Sequence, residues 1–364
     1  MGVYQVISIL VLSLASLVWV GSVSMAVFGR YYRLRGRGRT AVRNSGFEPS
    51  VLVILPCKGT DLTIEANMLS LRAQNYGNYK VIAVVEDRDD PAVRHISSAD
   101  LDYIIADKKF SRCSGKVKNI LSAFKRFTTY DVYVIVDSDV TASPTWLSKL
   151  VEPLSNPNVG VTTTYPYFNP IGGFWSDVKS VWNFVGEGMM ESKQTRFVWG
   201  GSMAFRKELV TKELIKSMGT AVADDLEIHR ACRRAGLEVY YVKERIAYVN
   251  AKENFASFIE WANRQSALSV LADRKLITYG KLIYGAECLL ILMGVSLPFF
   301  YGPVWLFLLV PLAIKIGSSY SKTERKGAYV VPVTVLVQFI YLYNITKAAR
   351  MDSIQWRGRE YKIR

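Results

Sequence analysis

The chain has 364 residues, of which 50% are hydrophobic, and it carries 46 basic against 31 acidic residues, a formal net charge of +15. This length is expected for two domains, or for one domain with a membrane part. With only two histidines, the chain is poorly suited to a histidine-based metal centre, so any metal must be held by carboxylates. Its four cysteines form no Cys-x-x-Cys pair and are expected to be reduced thiols in a cytoplasmic protein body.

Residues 3–28 contain no charged side chain and are long enough to cross a bilayer core of ~30 Å. No basic region precedes them and no small-residue cleavage site closes them, so we expect a retained anchor at 1–29. By the positive-inside rule, the basic linker 30–48 that follows places the rest of the chain in the cytoplasm. No nucleic-acid recognition motif accompanies its arginines, so we expect anionic lipid and no nucleic acid as their partner. They are Arg30, Arg33, Arg35, Arg37, Arg39 and Arg43.

Residues 49–254 alternate short β-branched runs with helical patterns, which is typical of an α/β domain with a parallel sheet. The predicted strands are 51–55, 81–85, 103–105, 132–136, 159–164, 202–205 and 239–242. The predicted helices are 62–73, 116–127 and 223–235. The first strand is expected to end at Pro56.

Later patterns indicate membrane contact. The stretches 173–190 and 255–271 mix aromatic residues with charges, which predicts amphipathic helices that either lie along the headgroups or pack on their own domain. We place an interfacial region at 255–281 and membrane segments at 282–346. Within the latter, the apolar runs 282–301 and 304–317 predict a transmembrane hairpin.

The last apolar run, 329–343, creates a conflict. If it crossed the bilayer, the basic tail 347–364 would lie outside, against the charge rule. We therefore predict a re-entrant or interfacial segment and a cytoplasmic tail.

Carboxylates follow the predicted strands or open a helix beside them: Asp87, Asp137, Asp139, Asp224 and Asp225. Open α/β sheets bind ligands at the carboxyl ends of their strands. Residues at i and i+2 beyond a strand can give two oxygens to one hard cation, which in turn holds a diphosphate. Such a set suits sugar transfer from a nucleotide diphosphate, with one carboxylate left to accept a proton.

A set of short motifs runs in order through almost the whole chain. They are Leu55-Pro-Cys-Lys-Gly59, Val85-Glu-Asp-Arg-Asp-Asp-Pro-Ala92, Gly115-Lys-Val-Lys-Asn119, Val136-Asp-Ser-Asp139, Gly200-Gly-Ser-Met203 with Arg206-Lys207, Ala223-Asp-Asp225 and Trp356-Arg-Gly-Arg-Glu-Tyr361. In these motifs the chain resembles GT-A glycosyltransferases of families 2 and 21, in particular the ceramide glucosyltransferase type. The resemblance implies an α/β GT-A domain with a mixed, mostly parallel sheet, and membrane helices at both ends.

The resemblance also implies roles for the matching acidic residues. Asp87 corresponds to the aspartate that contacts the nucleotide, and Asp137 with Asp139 to the pair that binds Mg²⁺ or Mn²⁺. Asp225 corresponds to the general base, a role that Asp224 could share. The alternative for Asp225 is capping of its helix.

Basic residues are the candidates for the rest of the donor site. Lys58 follows a strand and Lys116 opens a helix, where each either supports the nucleotide or is an ordinary exposed lysine. Relatives carry Gln/Arg-x-x-Arg-Trp on an interfacial helix, whereas this chain has Trp261-Ala-Asn-Arg-Gln265. Arg264 matches the arginine and is expected to bind the diphosphate.

The residues that flank this arginine depart from the family pattern, so the acceptor is in doubt. Trp261 and Gln265, with Trp356 and Arg357 of the terminal motif, are the candidates for acceptor binding.

The sequence therefore predicts a membrane-bound inverting glycosyltransferase that moves a glucose-like sugar from a UDP-sugar to the hydroxyl of a membrane lipid. Its catalytic domain would occupy 49–254. A polyprenyl-phosphate glycosyltransferase, a processive polysaccharide synthase and a non-catalytic nucleotide-sugar sensor are the alternatives.

Overall fold

The computed structural model describes residues 46–363 and scattered helical positions between 13 and 24. The remainder of the predicted anchor 1–29, most of the linker 30–48 with its arginines, and Arg364 lie outside the described residues. Trp19, one of the described positions, donates an indole hydrogen bond to the carbonyl of Phe307 at 3.1 Å. One of the described N-terminal helical positions therefore contacts the C-terminal apolar region.

A seven-stranded mixed sheet forms the body of the protein, in the order β3-β2-β1-β4-β8-β6-β9. Strand β8 runs antiparallel to both of its neighbours, and all other pairs are parallel. The strands are β1 (Val51–Pro56), β2 (Tyr79–Val85), β3 (Asp102–Ile105), β4 (Val132–Val136), β5 (Val140–Ala142), β6 (Val159–Thr163), β7 (Tyr167–Gly172), β8 (Ser202–Arg206), β9 (Glu238–Tyr241), β10 (Ala247–Lys252), β11 (Ser353–Trp356) and β12 (Arg359–Lys362).

Helices cover both faces of this sheet. They are α1 (Ile64–Arg72), α2 (Ala92–Ser98), α3 (Gly115–Arg126), α4 (Trp146–Val151), α5 (Phe174–Trp182), α6 (Phe184–Glu191), α7 (Lys212–Met218), α8 (Asp224–Arg234), α9 (Phe255–Ala272), α10 (Lys275–Tyr301), α11 (Val310–Lys322) and α12 (Val330–Ala348).

Strand β1 lies in the interior of the sheet, between β2 and β4, and is buried on both sides. Every residue from Val51 to Leu55 has no exposed surface. Because side chains alternate along a strand, Val53 packs with Met68 and Leu71 of α1 on one face. Ile54 packs with Ile120 and Leu121 of α3 on the other. This two-sided burial explains the unbroken apolar runs of the sequence.

The predicted strands and helices of the domain are confirmed, with small shifts at their ends. Strand β1 includes Pro56 as its last residue, paired with Val84, so it runs one residue beyond the predicted 51–55. The ladder continues because the N–H of Cys57 donates to the carbonyl of Val84 at 2.8 Å. A smaller sheet, β5-β10-β7, was not predicted.

The two aromatic stretches form helices that pack within the protein. In α5, residues Ser176 to Trp182 are all buried. Helix α5 packs with α9 and α12 around Val178, Phe258 and Val337. Two alternatives were predicted for these stretches, contact with the headgroups or packing on the protein itself. Helix α5 shows the second.

Three C-terminal helical segments are long and apolar enough to cross a membrane by length and composition: Lys275–Tyr301, Pro303–Lys322 and Val330–Ala348. The last segment, α12, is an unbroken helix, and half of its apolar window is buried inside the protein.

The predicted basic tail is folded. Strands β11 and β12 form an antiparallel hairpin whose turn residues, Arg357 and Gly358, have φ of 50° and 73°. Two consecutive positive φ values are typical of tight hairpin turns, and glycine at the second favours the turn.

Candidate active site

A buried lysine lies at the centre of the site. The ammonium of Lys116 is 2.7 Å from Asp137 Oδ1 and 3.3 Å from Asp224 Oδ1, and 10% of its side chain is exposed. It also donates to the carbonyl of Gly200 at 3.0 Å. Burial opposes its charge, but Asp137 and Asp224 raise the pKa of Lys116 above its ordinary value. Lys116 therefore remains an ammonium and joins the end of β4 to the start of α8.

The position of Lys116 follows from the cap of its helix. Ser114, fully buried, is the N-cap of α3, and its hydroxyl accepts a hydrogen bond from the N–H of Val117. Its own N–H donates to the carbonyl of Ala221 at 2.9 Å. The first turn of α3 is thus held beside the loop that leads into α8.

Asp225 lies in the same cluster and does not cap its helix as the N-cap residue. Ala223 occupies the N-cap position, with no side-chain cap. Asp225 Oδ2 accepts from the N–H of Gly200 at 3.2 Å, and Oδ1 from the N–H of Leu226 at 2.8 Å. Burial raises the pKa of Asp225, which makes its carboxylate a stronger base.

Asp224 is buried more deeply than its neighbour, with 2% of its surface exposed. Burial raises its pKa, while Lys116 opposes this shift. One of its oxygens, Oδ2, has no hydrogen-bond partner in the described part of the chain.

Asp139 interacts electrostatically with two other carboxylates and with two cations. Burial, with the charges of Asp137 and Asp61, raises the pKa of Asp139, and Lys179 and Arg357 oppose the rise. No direct ion pair of Asp139 occurs within residues 46–363. A partly buried carboxylate between two others suits a hard cation.

The acidic pair, Asp137 and Asp139, fits a metal ion whose remaining ligands come from a bound substrate and water. Among the described residues, no group of three or more His, Cys, Asp and Glu side chains is arranged to hold a metal ion. Mg²⁺ is commonly bound by one or two carboxylates, together with substrate phosphates and water. Asp137 and Asp139 supply this kind of incomplete oxygen shell.

Asp87 and Lys58 lie at the same edge of the sheet, after β2 and β1. The exposed Asp87 carboxylate accepts a hydrogen bond from the N–H of Asp89 at 3.2 Å. Lys58 Nζ is 3.9 Å from Glu86 Oε1. The structure brings neither residue into direct contact with Asp137 or Asp139.

Trp261 forms part of an aromatic wall. Its ring is 5.2 Å from that of Phe168 and 5.0 Å from that of Trp182. The ammonium of Lys179 lies 4.6 Å from the Trp261 ring and forms a buried ion pair of 2.6 Å with Glu253. Trp261 thus has a structural partner on each side, whereas the side chain of half-buried Gln265 has no hydrogen bond among the described residues.

The terminal hairpin adds two further candidates to the site. Arg264 of α9 donates to the carbonyl of Gln355 at 3.4 Å and lies 5.8 Å from the Trp356 ring. Arg357 forms an ion pair with Asp61. The hairpin therefore lies beside the acidic pair, whereas an unfolded tail would not be held there.

A sequence model of glycosyltransferase family 21 matches residues 17–364. The chain belongs to glycosyltransferase family 21. The fold is similar to a mannosyltransferase from Pyrobaculum calidifontis, solved with GDP-Man and Mn²⁺, at 16% identity and a TM-score of 0.54. That match covers 93% of this chain and 98% of the other.

A second solved structure, glucosyl-3-phosphoglycerate synthase from Mycobacterium tuberculosis, matches at 14% identity with a TM-score of 0.43. It covers 65% of this chain and 84% of that chain. The GT-A fold expected from the sequence is confirmed by the mixed, mostly parallel sheet and by the Pyrobaculum structure.

Several residues of this family 21 glycosyltransferase site were not predicted. Asp61 lies next to the acidic pair. Glu86 forms ion pairs with Lys58, Lys118 and Arg359. The signal for Asp61 was its position two residues after Gly59, in the loop that leaves β1. No such signal marked Lys179, because it lies in a stretch whose sequence predicts an amphipathic helix.

Gly200 tests the close packing of the site. A Cβ added to Gly200 would lie 3.2 Å from both Asp225 Oδ2 and Lys116 Nζ. We expect Gly200→Ala to displace these groups by a few tenths of an ångström and to lower kcat by up to about 10-fold, since a displacement of ~1 Å can cost about 100-fold, with little change in the melting temperature. Gly188→Ala is the matched control, since nothing lies within 4 Å of its added methyl group. Wild-type turnover by Gly200→Ala would contradict this geometry.

Proposed function

We propose that the protein is an inverting, metal-dependent glycosyltransferase that moves a glucose-like hexose from a UDP-sugar to the hydroxyl group of a membrane lipid. The observation that carries the proposal is one buried ammonium that joins a candidate cation site to a candidate base. The Lys116 ammonium forms an ion pair with Asp137. It also donates to the Gly200 carbonyl, and the N–H of Gly200 donates to Asp225.

The donor would bind at the carboxyl edge of the sheet. Asp137 and Asp139 would hold Mg²⁺ or Mn²⁺, and the cation would neutralise charge on the departing diphosphate. Asp87 offers an exposed carboxylate to the nucleotide from the next strand but one. Lys58 and Arg264 supply positive charge on either side. The Mn²⁺ and nucleotide sugar in the related Pyrobaculum structure support this arrangement.

Asp225 is the residue we assign as general base. It accepts the proton of the acceptor hydroxyl, whose oxygen forms a bond to the anomeric carbon. The bond from that carbon to the diphosphate oxygen breaks, and the electron pair leaves with UDP, so the configuration inverts. The N–H groups of Gly200 and Leu226 orient the Asp225 carboxylate. The neighbouring residue, Asp224, forms an ion pair with the Lys116 ammonium.

The lipid acceptor is supported by the apolar surface next to the site. Helix α10 exposes large apolar side chains along its length, including Leu282, Leu292, Val295 and Phe299. Helix α9, which carries Trp261, Arg264 and Gln265, precedes α10 directly in the chain. An acceptor held in the bilayer would therefore approach the site along α9, and Trp261 and Gln265 are our candidates for contacting it.

The contacts at both ends of α12 support a helix that does not cross the bilayer. Just before it, Arg325 pairs with Asp177 at 3.6 Å, and the N–H of Glu324 donates to the Tyr167 hydroxyl at 2.9 Å. Just after it, Arg357 of the hairpin pairs with Asp61. Both ends contact the same domain, whereas a crossing would separate them by a bilayer of ~30 Å.

We therefore propose an integral membrane protein whose catalytic domain is cytoplasmic. The described N-terminal helix and the hairpin of Lys275–Tyr301 with Pro303–Lys322 would cross the bilayer, and α12 would lie beneath the domain. This layout leaves the basic residues after α12 on the cytoplasmic side, as the charge rule requires.

The reaction class can be tested with the purified full chain. Incubation with a panel of labelled UDP-sugars and a total lipid extract should yield one labelled lipid. EDTA should abolish the product and excess Mn²⁺ or Mg²⁺ should restore it, because the acidic pair alone would not neutralise the leaving diphosphate. A labelled polymer, a labelled polyprenyl phosphate, or a product formed equally in EDTA would each contradict the proposal.

Asp225→Asn tests the base. The amide keeps the shape of the side chain but cannot accept a proton, so we expect kcat to fall by about 100- to 10,000-fold while UDP still binds. In the wild type, the raised pKa of Asp225 should place the acid limb of kcat/KM above the ordinary aspartate value of 3.8. The base must be deprotonated to act, so activity is present above its pKa and lost as the pH falls. Unchanged turnover by Asp225→Asn would instead favour a sensor.

The layout of α12 can be tested by cysteine labelling in a Cys113→Ser background, since the other native cysteines are buried. We expect Lys326→Cys and Lys362→Cys to react with an impermeant maleimide from the cytoplasmic side only. Tyr301→Cys, at the far turn of the α10 hairpin, should react from the opposite side only. Labelling of residues 326 and 362 from opposite sides would show that α12 crosses.

A further inference from the structure

The hairpin β11–β12 is anchored at its base by apolar contacts. Ile354 is 1% exposed and packs with Ala267 and Val270 of α9 and with Ile345 and Ala348 of α12. The root of the hairpin is therefore part of the protein core. Its tip, in contrast, is held to the sheet edge by ion pairs.

The tip bears two arginines that both pair with carboxylates at the sheet edge. Arg357 pairs with Asp61, which follows β1. Arg359 donates to both oxygens of Glu86, at 2.8 and 2.9 Å, at the end of β2. Beside them, the N–H of Gly115, the first residue of α3, donates to the hydroxyl of Tyr361 at 3.2 Å.

The two pairs cover the carboxylates from the outside. The side chains of Asp61 and Glu86 are 10% and 13% exposed, whereas those of Arg357 and Arg359 are 40% and 48% exposed. The hairpin thus lies across the edge of the sheet where the proposed donor would bind. A donor must enter beneath the tip or displace it.

The two arginines differ in how firmly they are held. Arg359 donates from one nitrogen to both oxygens of Glu86, so it makes two charged hydrogen bonds to this carboxylate. Arg357 bonds through one nitrogen to one oxygen of Asp61, whose other oxygen accepts from Ser138.

The surroundings of Arg357 also favour an anionic ligand. The charges of Arg357 and Arg264 both interact with those of Asp137 and Asp139. Two guanidinium groups near one cation site match the oxygens of a diphosphate, which guanidinium binds well.

We propose that the β11–β12 hairpin is a clasp for the donor, in which Arg357 exchanges Asp61 for the diphosphate while Arg359 holds the hairpin to Glu86. The exchange keeps Arg357 paired in both states. It also frees the Asp61 carboxylate beside Asp139. Arg357 would accordingly bind the donor rather than the acceptor. The inference rests on the proposed function, since it presupposes a nucleoside-diphosphate sugar.

Kinetics of the full-length enzyme test the clasp. Arg357→Ala should raise the KM for the donor by roughly 10- to 100-fold, the effect of losing a charged hydrogen bond. The KM for the acceptor should not change. Inhibition by UDP should weaken in parallel with the donor KM. Arg357→Lys should recover only part of the loss, because an ammonium lacks the planar fork.

Glu360→Gln is the matched control on the same hairpin. Glu360 is exposed and accepts from the Ser353 hydroxyl between the strands, away from the acidic pair, so its donor KM should equal the wild-type value. An Arg357→Ala donor KM equal to that of this control would overturn the clasp.

Limited proteolysis gives a second readout that does not depend on turnover. Trypsin cuts after arginine, and mass spectrometry can follow cleavage after Arg357 and Arg359 in the wild-type protein. UDP with Mn²⁺ should slow both cuts in the wild type, and should not slow the remaining cut after Arg359 in Arg357→Ala. Equal cleavage of the wild type with and without UDP, under conditions where UDP binding is measured directly, would overturn the clasp and leave the glycosyltransferase function standing. If the wild type binds no UDP, both fail together.

Discussion

One ammonium surrounded by carboxylates holds the candidate site together. Lys116 is almost fully buried and lies within 3.3 Å of both Asp137 and Asp224. Removing one partner of a buried charge pair typically costs about 3–5 kcal/mol, because it leaves an uncompensated charge. The lysine thus links three parts of the chain: the end of β4, the Gly200 loop and the start of α8. The candidate base and the candidate cation site keep their spacing because both are held by Lys116.

A second constraint comes from the C-terminal region. The chain leaves the catalytic domain at α9, passes through the apolar hairpin and α12, and returns to the edge of the sheet as β11–β12. The return is secured by the buried Ile354 at the root and by Arg359 at the tip. The apolar helices and the candidate donor site are therefore parts of one structure, since helix α9 contacts the apolar root of the β11–β12 hairpin and also carries Arg264, which contacts the same hairpin.

The sheet was predictable because its central strands are buried on both faces and their apolar runs are unmistakable, as in Val51–Pro56 and Val132–Val136. The position of Asp137 followed from the rule that ligands bind at strand ends. The strands β7 and β10 were missed because each is polar or broken in pattern, with Pro170 in one and Asn250 in the other. Their pairing depends on neighbours that are distant in sequence.

The site was predictable in its acidic residues and much less so in its cations. Nothing local distinguishes Lys116 from an exposed lysine, because its burial comes from the packing of α3 against the loop before α8. Nor does composition show that the basic C-terminal residues fold back over Asp61 and Glu86. A run of arginines and lysines predicts a solvated tail unless the partners of its charges are known.

The most direct test of this account is a double-mutant cycle between Lys116→Met and Asp137→Asn, with the free energy of unfolding of the purified full chain as the measured quantity. If the buried ammonium joins the two halves of the site, the two substitutions should be strongly coupled, with an interaction free energy of about 1–3 kcal/mol. Additive effects, within about 0.5 kcal/mol, would contradict the central role of Lys116.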